Sequence, residues 1–387
     1  MGLLKMSGIT KSFHGVTVLH HVDLTVGSGE VHALLGENGA GKSTLMNVLT
    51  GVFPRDGGTI EFDGKDIGAI TIRQSEELGI AFVHQELNLF NDLKVYENIF
   101  LGREYKNAFG KLDKKRMVAE TRGLFEELGV DMDPTEVVAN LKTSQKQLLE
   151  ISKALVIKAK LLILDEPTTS LNNEEVAHLF SIVNSLKREN GTSFIFISHK
   201  MPEIFEISDR YTVFRNGHFI GTGDIASTDP ESVTRLMVGE GYSSEDVYEK
   251  RETGGEVLKL THFSGPGFSD VNLTVEQGQI IGLTGLLGGG SSELMQCMFG
   301  STNPTGGTIE VHGKTLPAHS IHSSMKAGIA MLAANRKENS VLPDMSLLEN
   351  MYLSEHTLSA WKPLIQKRGE KEKFETYRKL LNIKAGD

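Results

Sequence analysis

Residues 31–49 read Val31-His32-Ala33-Leu34-Leu35-Gly36-Glu37-Asn38-Gly39-Ala40-Gly41-Lys42-Ser43-Thr44-Leu45-Met46-Asn47-Val48-Leu49. An apolar run, a glycine-rich loop and a second apolar run give the strand–loop–helix order that the pattern G-x-x-x-x-G-K-[ST] needs. The glycines let backbone N–H groups converge on phosphate oxygens. Lys42 supplies the counter-charge for the β- and γ-phosphates, and the Ser43 hydroxyl suits a magnesium ion. Gly36, Asn38, Gly39, Gly41, Lys42, Ser43 and Thr44 are therefore the candidate nucleotide-binding residues. A mere glycine-rich turn with a surface lysine would not require this flanking context.

A second apolar run, Leu161-Leu162-Ile163-Leu164, ends in Asp165-Glu166-Pro167. Carboxylates at the end of a buried strand place Asp165 beside a metal shell and Glu166 where it can polarise an attacking water. Alone, Asp-Glu-Pro would read as a solvated turn. Downstream of a phosphate loop it reads as the catalytic half of the same site.

Outward from these motifs, the chain repeats itself. Residues 22–64 and 271–313 align without a gap: Gly36 and Gly285 stand 249 positions apart, as do Gly58 and Gly307, and Leu45-Met46 and Thr59-Ile60-Glu61 recur. A repeat of this length is a duplicated domain. The polar, glycine-containing stretch between the copies has linker composition, dividing the chain into 1–240, a linker at 241–256, and 257–387. In the first copy Val31–Leu35, Leu161–Leu164 and Phe194–Ser198 read as buried strands, and Lys114–Leu128 and Gln145–Ile157 as helices. The pattern predicts an α/β domain with a helical insertion over about residues 90–160.

Composition narrows the rest. A chain 39% hydrophobic and 23% charged can bury a core, which excludes wholesale disorder. A net charge of −10 argues against a surface built as a nucleic-acid footprint, so no nucleic-acid partner is expected. Cys297 is the single cysteine, so no intramolecular disulfide can form, as suits a reducing compartment. No run approaches the ~18 apolar residues that would span a bilayer, so membrane association would come through a partner.

The order of motifs resembles the nucleotide-binding subunit of ATP-binding cassette (ABC) transporters: a P-loop, then Gln85 in Val83-His84-Gln85, a signature region, Asp165-Glu166, and His199 in Ile197-Ser198-His199-Lys200. The resemblance implies a duplicated P-loop NTPase fold with a mixed sheet core and a helical subdomain, acting on ATP with Mg²⁺. It implies that Ser43, Gln85 and Asp165 serve the metal, that Gln85 also couples to the membrane partner, and that His199 contacts the γ-phosphate. Phe13 matches the aromatic residue on which adenine stacks. The segments 82–89 and 95–104, with Asn335-Arg336-Lys337 and Ser346–Met351, resemble bacterial monosaccharide importers of the ribose type, which fuse two cassettes in one chain. Such a subunit would lie peripherally on the cytoplasmic face of the membrane, with permease subunits and, indirectly, a periplasmic sugar-binding protein as partners. Two other readings stay open: a non-hydrolysing or regulatory ATP-binding module, and a soluble ABC protein without a transport role.

Three departures bear on activity. The signature, Leu-Ser-x-Gly-Gln in relatives, is Leu141-Lys142-Thr143-Ser144-Gln145, with a long cation for a small hydroxyl and a side chain where backbone must approach closely. In the second P-loop, Gly285–Ser292, Ser291 stands where relatives carry a basic residue, and Ala334-Asn335 replaces an acidic pair. In the head-to-tail cassette pairing that the resemblance implies, both losses fall in one composite site, expected to be non-catalytic. Third, the spacing from Gly36 to Leu141, carried from Gly285, puts a second signature at about residue 390, and a second Asp-Glu pair would lie further still. The second copy is thus read as incomplete, and hydrolysis by the isolated chain is open.

Overall fold

The computed structural model describes residues 2–85, 87–156, 159–169, 171–239, 252–285, 288–317, 320–333, 340–359, 367–381 and 383. The chain divides into two compact units, residues 1–244 and 245–385. Most of the linker expected at 241–256, the segment Ala334–Lys337 and residue Ile157 lie outside the described residues; strand β11 already begins at Glu256.

In the first unit, β1 (Gly2–Phe13) and β2 (Val16–Gly27) form an antiparallel hairpin; β1 also pairs with β4 (Gly57–Phe62), which pairs with the short β5 (Lys65–Asp66). The central sheet has six strands in the order β10-β9-β3-β8-β7-β6. Here β3 is Val31–Leu35, β6 Ile80–Val83, β7 Leu161–Asp165, β8 Ser193–Ile197, β9 Arg210–Arg215 and β10 His218–Asp224. All neighbours from β9 to β6 run parallel, and only β10 turns back. Parallel strands buried on both faces read as unbroken apolar runs. Accordingly β3, β7 and β8 are buried at every position.

The helices explain what stays outside that sheet. Helix α1 (Lys42–Leu49) follows the phosphate loop and buries Leu45, Met46, Val48 and Leu49. Helix α2 (Ile72–Leu78) is capped at both ends by Thr71 and Gly79. The insertion holds α3 (Val95–Phe100), α4 (Lys114–Leu128) and α5 (Thr143–Leu155), whose buried faces share one core with β6, β7 and β8. Helix α6 (Asn173–Asn190) carries acidic residues in its first turn and basic ones in its last, each complementing the helix dipole. Helices α7 (Met201–Ile207) and α8 (Pro230–Val238) complete the unit.

The second unit repeats only part of this plan. Strands β11 (Glu256–Gly265), β12 (Phe268–Glu276), β13 (Gly306–Val311) and β14 (Lys314–Thr315) form a sheet ordered β12-β11-β13-β14, matching β2-β1-β4-β5. Helix α9 (Ser291–Phe299) packs Leu294 and Cys297 against β11 residues Leu260 and Phe263. Residues 279–285, which correspond to the end of the β2–β3 turn and β3, form no strand.

Candidate functional site

The parallel sheet delivers the candidate residues along one edge. The carboxyl ends of β6, β7, β8 and β3 lie side by side, and each leads directly into a singled-out motif. In open parallel sheets that edge is where ligands bind.

The phosphate loop runs from Gly36 to Thr44 between β3 and α1. Gly36 adopts φ 150°, and a Cβ there would collide with the Phe214 carbonyl oxygen of β9. Gly41, at φ 98°, is the N-cap of α1, and a Cβ would lie 2.7 Å from Leu19 Cδ2 of β2. Both positions therefore demand glycine. No side chain caps α1 and its first turn has no acidic residue, which leaves its leading N–H groups suited to an anion. Lys42 folds back over the loop, donating from Nζ to the Gly36 carbonyl at 2.7 Å and the Glu37 carbonyl at 3.1 Å. Burial pulls its ammonium below the usual lysine range, while Asp165, Glu166 and Glu37 oppose that shift.

Across the loop, Ser43 Oγ donates to Asp165 Oδ2 at 3.2 Å. Asp165 closes β7 and is buried. Its carboxyl is pushed above the usual range by burial; the Ser43 hydroxyl opposes this, Glu166 reinforces it and Lys42 opposes it. Two hard oxygen donors side by side, one of them a carboxylate, are the chemistry that a magnesium ion selects.

Glu166 is the centre of the remaining cluster. Its backbone sits at φ 48°, a left-handed conformation unusual for a non-glycine residue, and its N–H donates to the Ile197 carbonyl at 2.8 Å. That turn aims the carboxylate along the sheet edge. Gln85 Nε2 donates to Glu166 Oε2 at 2.9 Å, and His199 Nδ1 lies 3.0 Å from Oε1. Gln85, Glu166 and His199 follow three adjacent parallel strands in register, Val83 beside Leu164 and Asp165 beside Ile197.

Sequence reading missed a network that flanks His199. Glu203, in the first turn of α7, accepts from Thr168 Oγ1 at 2.6 Å, Lys200 Nζ at 2.9 Å and Ser198 Oγ at 3.3 Å. Lys200 Nζ also donates to the Thr168 carbonyl at 3.2 Å. These contacts tie the loop after β7 to the loop after β8 on either side of the Glu166–His199 pair. Glu203 falls four residues after His199, and only the pairing of β7 with β8 reveals what it holds.

Phe13 stands apart from that cluster. It ends β1, half-buried, with its ring edge-on to Phe53 at 5.1 Å and Lys11 Nζ 5.3 Å from its centroid. Its link to the loop is indirect: it pairs with Val16 of β2, the strand that packs Leu19 against Gly41. In the signature, Lys142 is the exposed N-cap of α5, its backbone N–H donating to Gln145 Oε1 at 3.1 Å. A cation there opposes the helix dipole. Beside Gln85 opens a groove of about 870 Å³, lined by Ile72, Phe82, His84, Asn88, Arg103 and Glu150 among others. Glu150 is buried in its wall, its carboxyl pushed up by that burial, with Lys153 3.7 Å away.

The family model for ABC transporters matches residues 19–169 and 268–386. The ribose import ATP-binding protein RbsA of Lactococcus lactis subsp. lactis is 42% identical over 350 residues, covering 90% of this chain and 71% of that protein. Its namesake in Geobacillus kaustophilus is 39% identical over 385 residues, covering 99% of this chain and 78% of that protein. Among solved structures, an ATP-binding cassette of an ABC transporter in its ADP conformation superposes with a TM-score of 0.54 at 27% identity, covering 62% of this chain and all of that one. A nucleotide-free cassette gives 0.55, also at 27% identity and 62% coverage.

Proposed function

Because the chain belongs to the ABC transporter family, we propose that it is the ATP-binding, energy-coupling subunit of an importer for a monosaccharide of the ribose type, with its catalytic site on the first unit. The observation that carries the site is the meeting of Lys42, Ser43, Asp165, Glu166, Gln85 and His199 along one sheet edge, in front of the uncapped start of α1.

The phosphates of ATP occupy the loop, held by its backbone N–H groups and by Lys42, which exchanges the Gly36 and Glu37 carbonyls for phosphate oxygens. Ser43 and Asp165, with Gln85, would hold Mg²⁺, which when bound offsets charge on the transferring phosphoryl group. Gln85 and His199 flank Glu166, one at each carboxylate oxygen, and the lone pairs that remain on those oxygens can accept a hydrogen bond from a water. Glu166 then takes that water's proton as its oxygen bonds to the γ-phosphorus, and the bond to the ADP oxygen breaks. His199, placed beside Glu166, steadies the γ-phosphate, and Phe13 carries the adenine.

The Gln85 side of the site adjoins the groove at His84 and Asn88, which supports that groove as the seat of the permease subunits. Among the described residues no helix is long and apolar enough to cross a membrane. The subunit then lies on the cytoplasmic face through its permease, with a periplasmic sugar-binding protein acting on the far side. A narrower reading, in which only the first unit takes nucleotide, is favoured by Ser291 in the position of Lys42.

ATPase turnover with and without the permease tests the proposal. Glu166→Gln is expected to lower turnover by about 10²–10⁴-fold while leaving ATP affinity unchanged. A wild-type rate in that variant would remove Glu166 from the mechanism, and failure of any permease to stimulate turnover would remove the transport role.

A further inference from the structure

In a chain of net charge −10, residues 103–116 run the other way: Arg103, Lys106, Lys111, Lys114, Lys115 and Arg116 against only Glu104 and Asp113. The same stretch carries the most exposed aromatic side chain among the described residues of the first unit, Phe109, 88% exposed, with Leu112 at 49%. A single exposed apolar residue needs no explanation. Here, however, the backbone is built to hold it out.

Residues 106 and 112 form an antiparallel bridge, and Asn107 N–H donates to the Lys111 carbonyl at 2.8 Å. Asn107 Oδ1 accepts from the Phe109 and Lys111 N–H groups at 3.0 and 3.1 Å, while Gly110 N–H closes on the Asn107 carbonyl at 2.9 Å. The base is clamped as well. Asp113 N–H donates to the Tyr105 carbonyl at 2.7 Å, the Tyr105 ring lies 5.2 Å from Phe100, and the Arg116 guanidinium sits 3.8 Å over that ring. So Phe109 projects from a braced turn with exposed lysines around it. No salt bridge engages Lys106, Lys111, Lys114 or Lys115 among the described residues, although Lys106 and Lys114 lie within electrostatic reach of Glu104 and Glu97.

We propose that this hairpin, residues 105–112, is a contact for an anionic lipid surface: Phe109 enters the headgroup layer while Lys106, Lys111, Lys114 and Lys115 meet lipid phosphates. An aromatic tip ringed by lysines is complementary to an anionic interface, where rings of this kind settle and each nearby cation adds attraction. The placement rests on the proposed function in one respect. Leu101, Gly102 and Arg103 line the groove beside Gln85 and lead straight into the hairpin, so a permease seated there would bring the hairpin to the bilayer.

Flotation of the full chain with permease-free vesicles separates the two ideas. Vesicles of phosphatidylcholine alone are compared with vesicles containing roughly one third phosphatidylglycerol. The expected result is association about ten-fold stronger on the anionic vesicles and lost at high salt. The double variant Lys106→Glu/Lys111→Glu should lose at least about ten-fold, and Phe109→Ser a smaller factor, with ATP affinity unchanged as the control for folding. Equal partition onto both vesicles, or variants that float like the wild type, would overturn the proposal. So would association seen only with permease present and indifferent to lipid charge, since the hairpin's partner would then be protein. A chain that binds anionic vesicles but is not stimulated by a permease would instead overturn the transport role alone.

Discussion

Residues 31–35 and 280–284 occupy equivalent places in the repeat, yet only the first pair up as a strand. Val31–Leu35 is buried throughout, hydrogen-bonded between β8 and β9. Ile280 and Leu283 are 78% and 41% exposed, in a segment with no strand assigned. Among the described residues, the last part of the two downstream loops is nonetheless alike. Gly288 and Gly290 keep the positive φ of Gly39 and Gly41, and a helix starts directly after each loop. The antiparallel sheet is also kept, because its strands come from neighbouring hairpins. A parallel strand instead needs partners from remote sequence: those of β3 are residues 193–197 and 210–215. The left-handed glycines before each helix are set locally, and the platform behind them is not.

The largest expected difference comes from that platform. Amide hydrogen exchange should protect residues 31–35 on the order of 10⁴-fold more than residues 280–284, since core strands open only with their whole unit. Comparable protection would break the comparison and mean that 280–284 finds strand partners in solution.

Next comes the lysine. Lys42→Ala should weaken ATP binding by roughly 100-fold through loss of charge-assisted contacts to phosphate. Ser291→Lys, which restores the charge to the second loop, should leave calorimetric stoichiometry at one ATP per chain, because no strand backs that loop. A second site in Ser291→Lys would show that charge, not the missing strand, is what separates the two units.

Legibility in the sequence tracks the same distinction. The P-loop and the Asp165-Glu166 pair were legible because each is contiguous and follows its own apolar strand, and helix Lys114–Leu128 appears with the bounds its periodicity predicts. Gln85 and His199 were legible only through the order of motifs. Nothing local says that they meet at Glu166, which depends on the order of β6, β7 and β8. The Glu203 network and the left-handed turn at Glu166 were illegible for the same reason. The failure of 280–284 to form a strand was illegible too, because its apolar pattern is sound and its neighbours decide.

The smallest effect concerns what a platform makes its residues bear. Asp165 is buried, and burial holds its carboxyl above the value it has in the unfolded chain. Where the folded state binds a proton more tightly than the unfolded state, stability falls as pH rises through that window. At neutral pH the first unit therefore carries a buried carboxylate whose position suits a metal better than it suits folding. Asp165→Asn keeps an acceptor for Ser43 Oγ and removes the charge, so without nucleotide the variant should melt about 2–4 °C higher at pH 7. The gain should shrink as pH falls and protonation removes the wild-type charge. Nucleotide binding in the presence of magnesium should fall in the same variant. A lower melting temperature would mean that the attraction of Asp165 to Lys42 outweighs the cost of its burial.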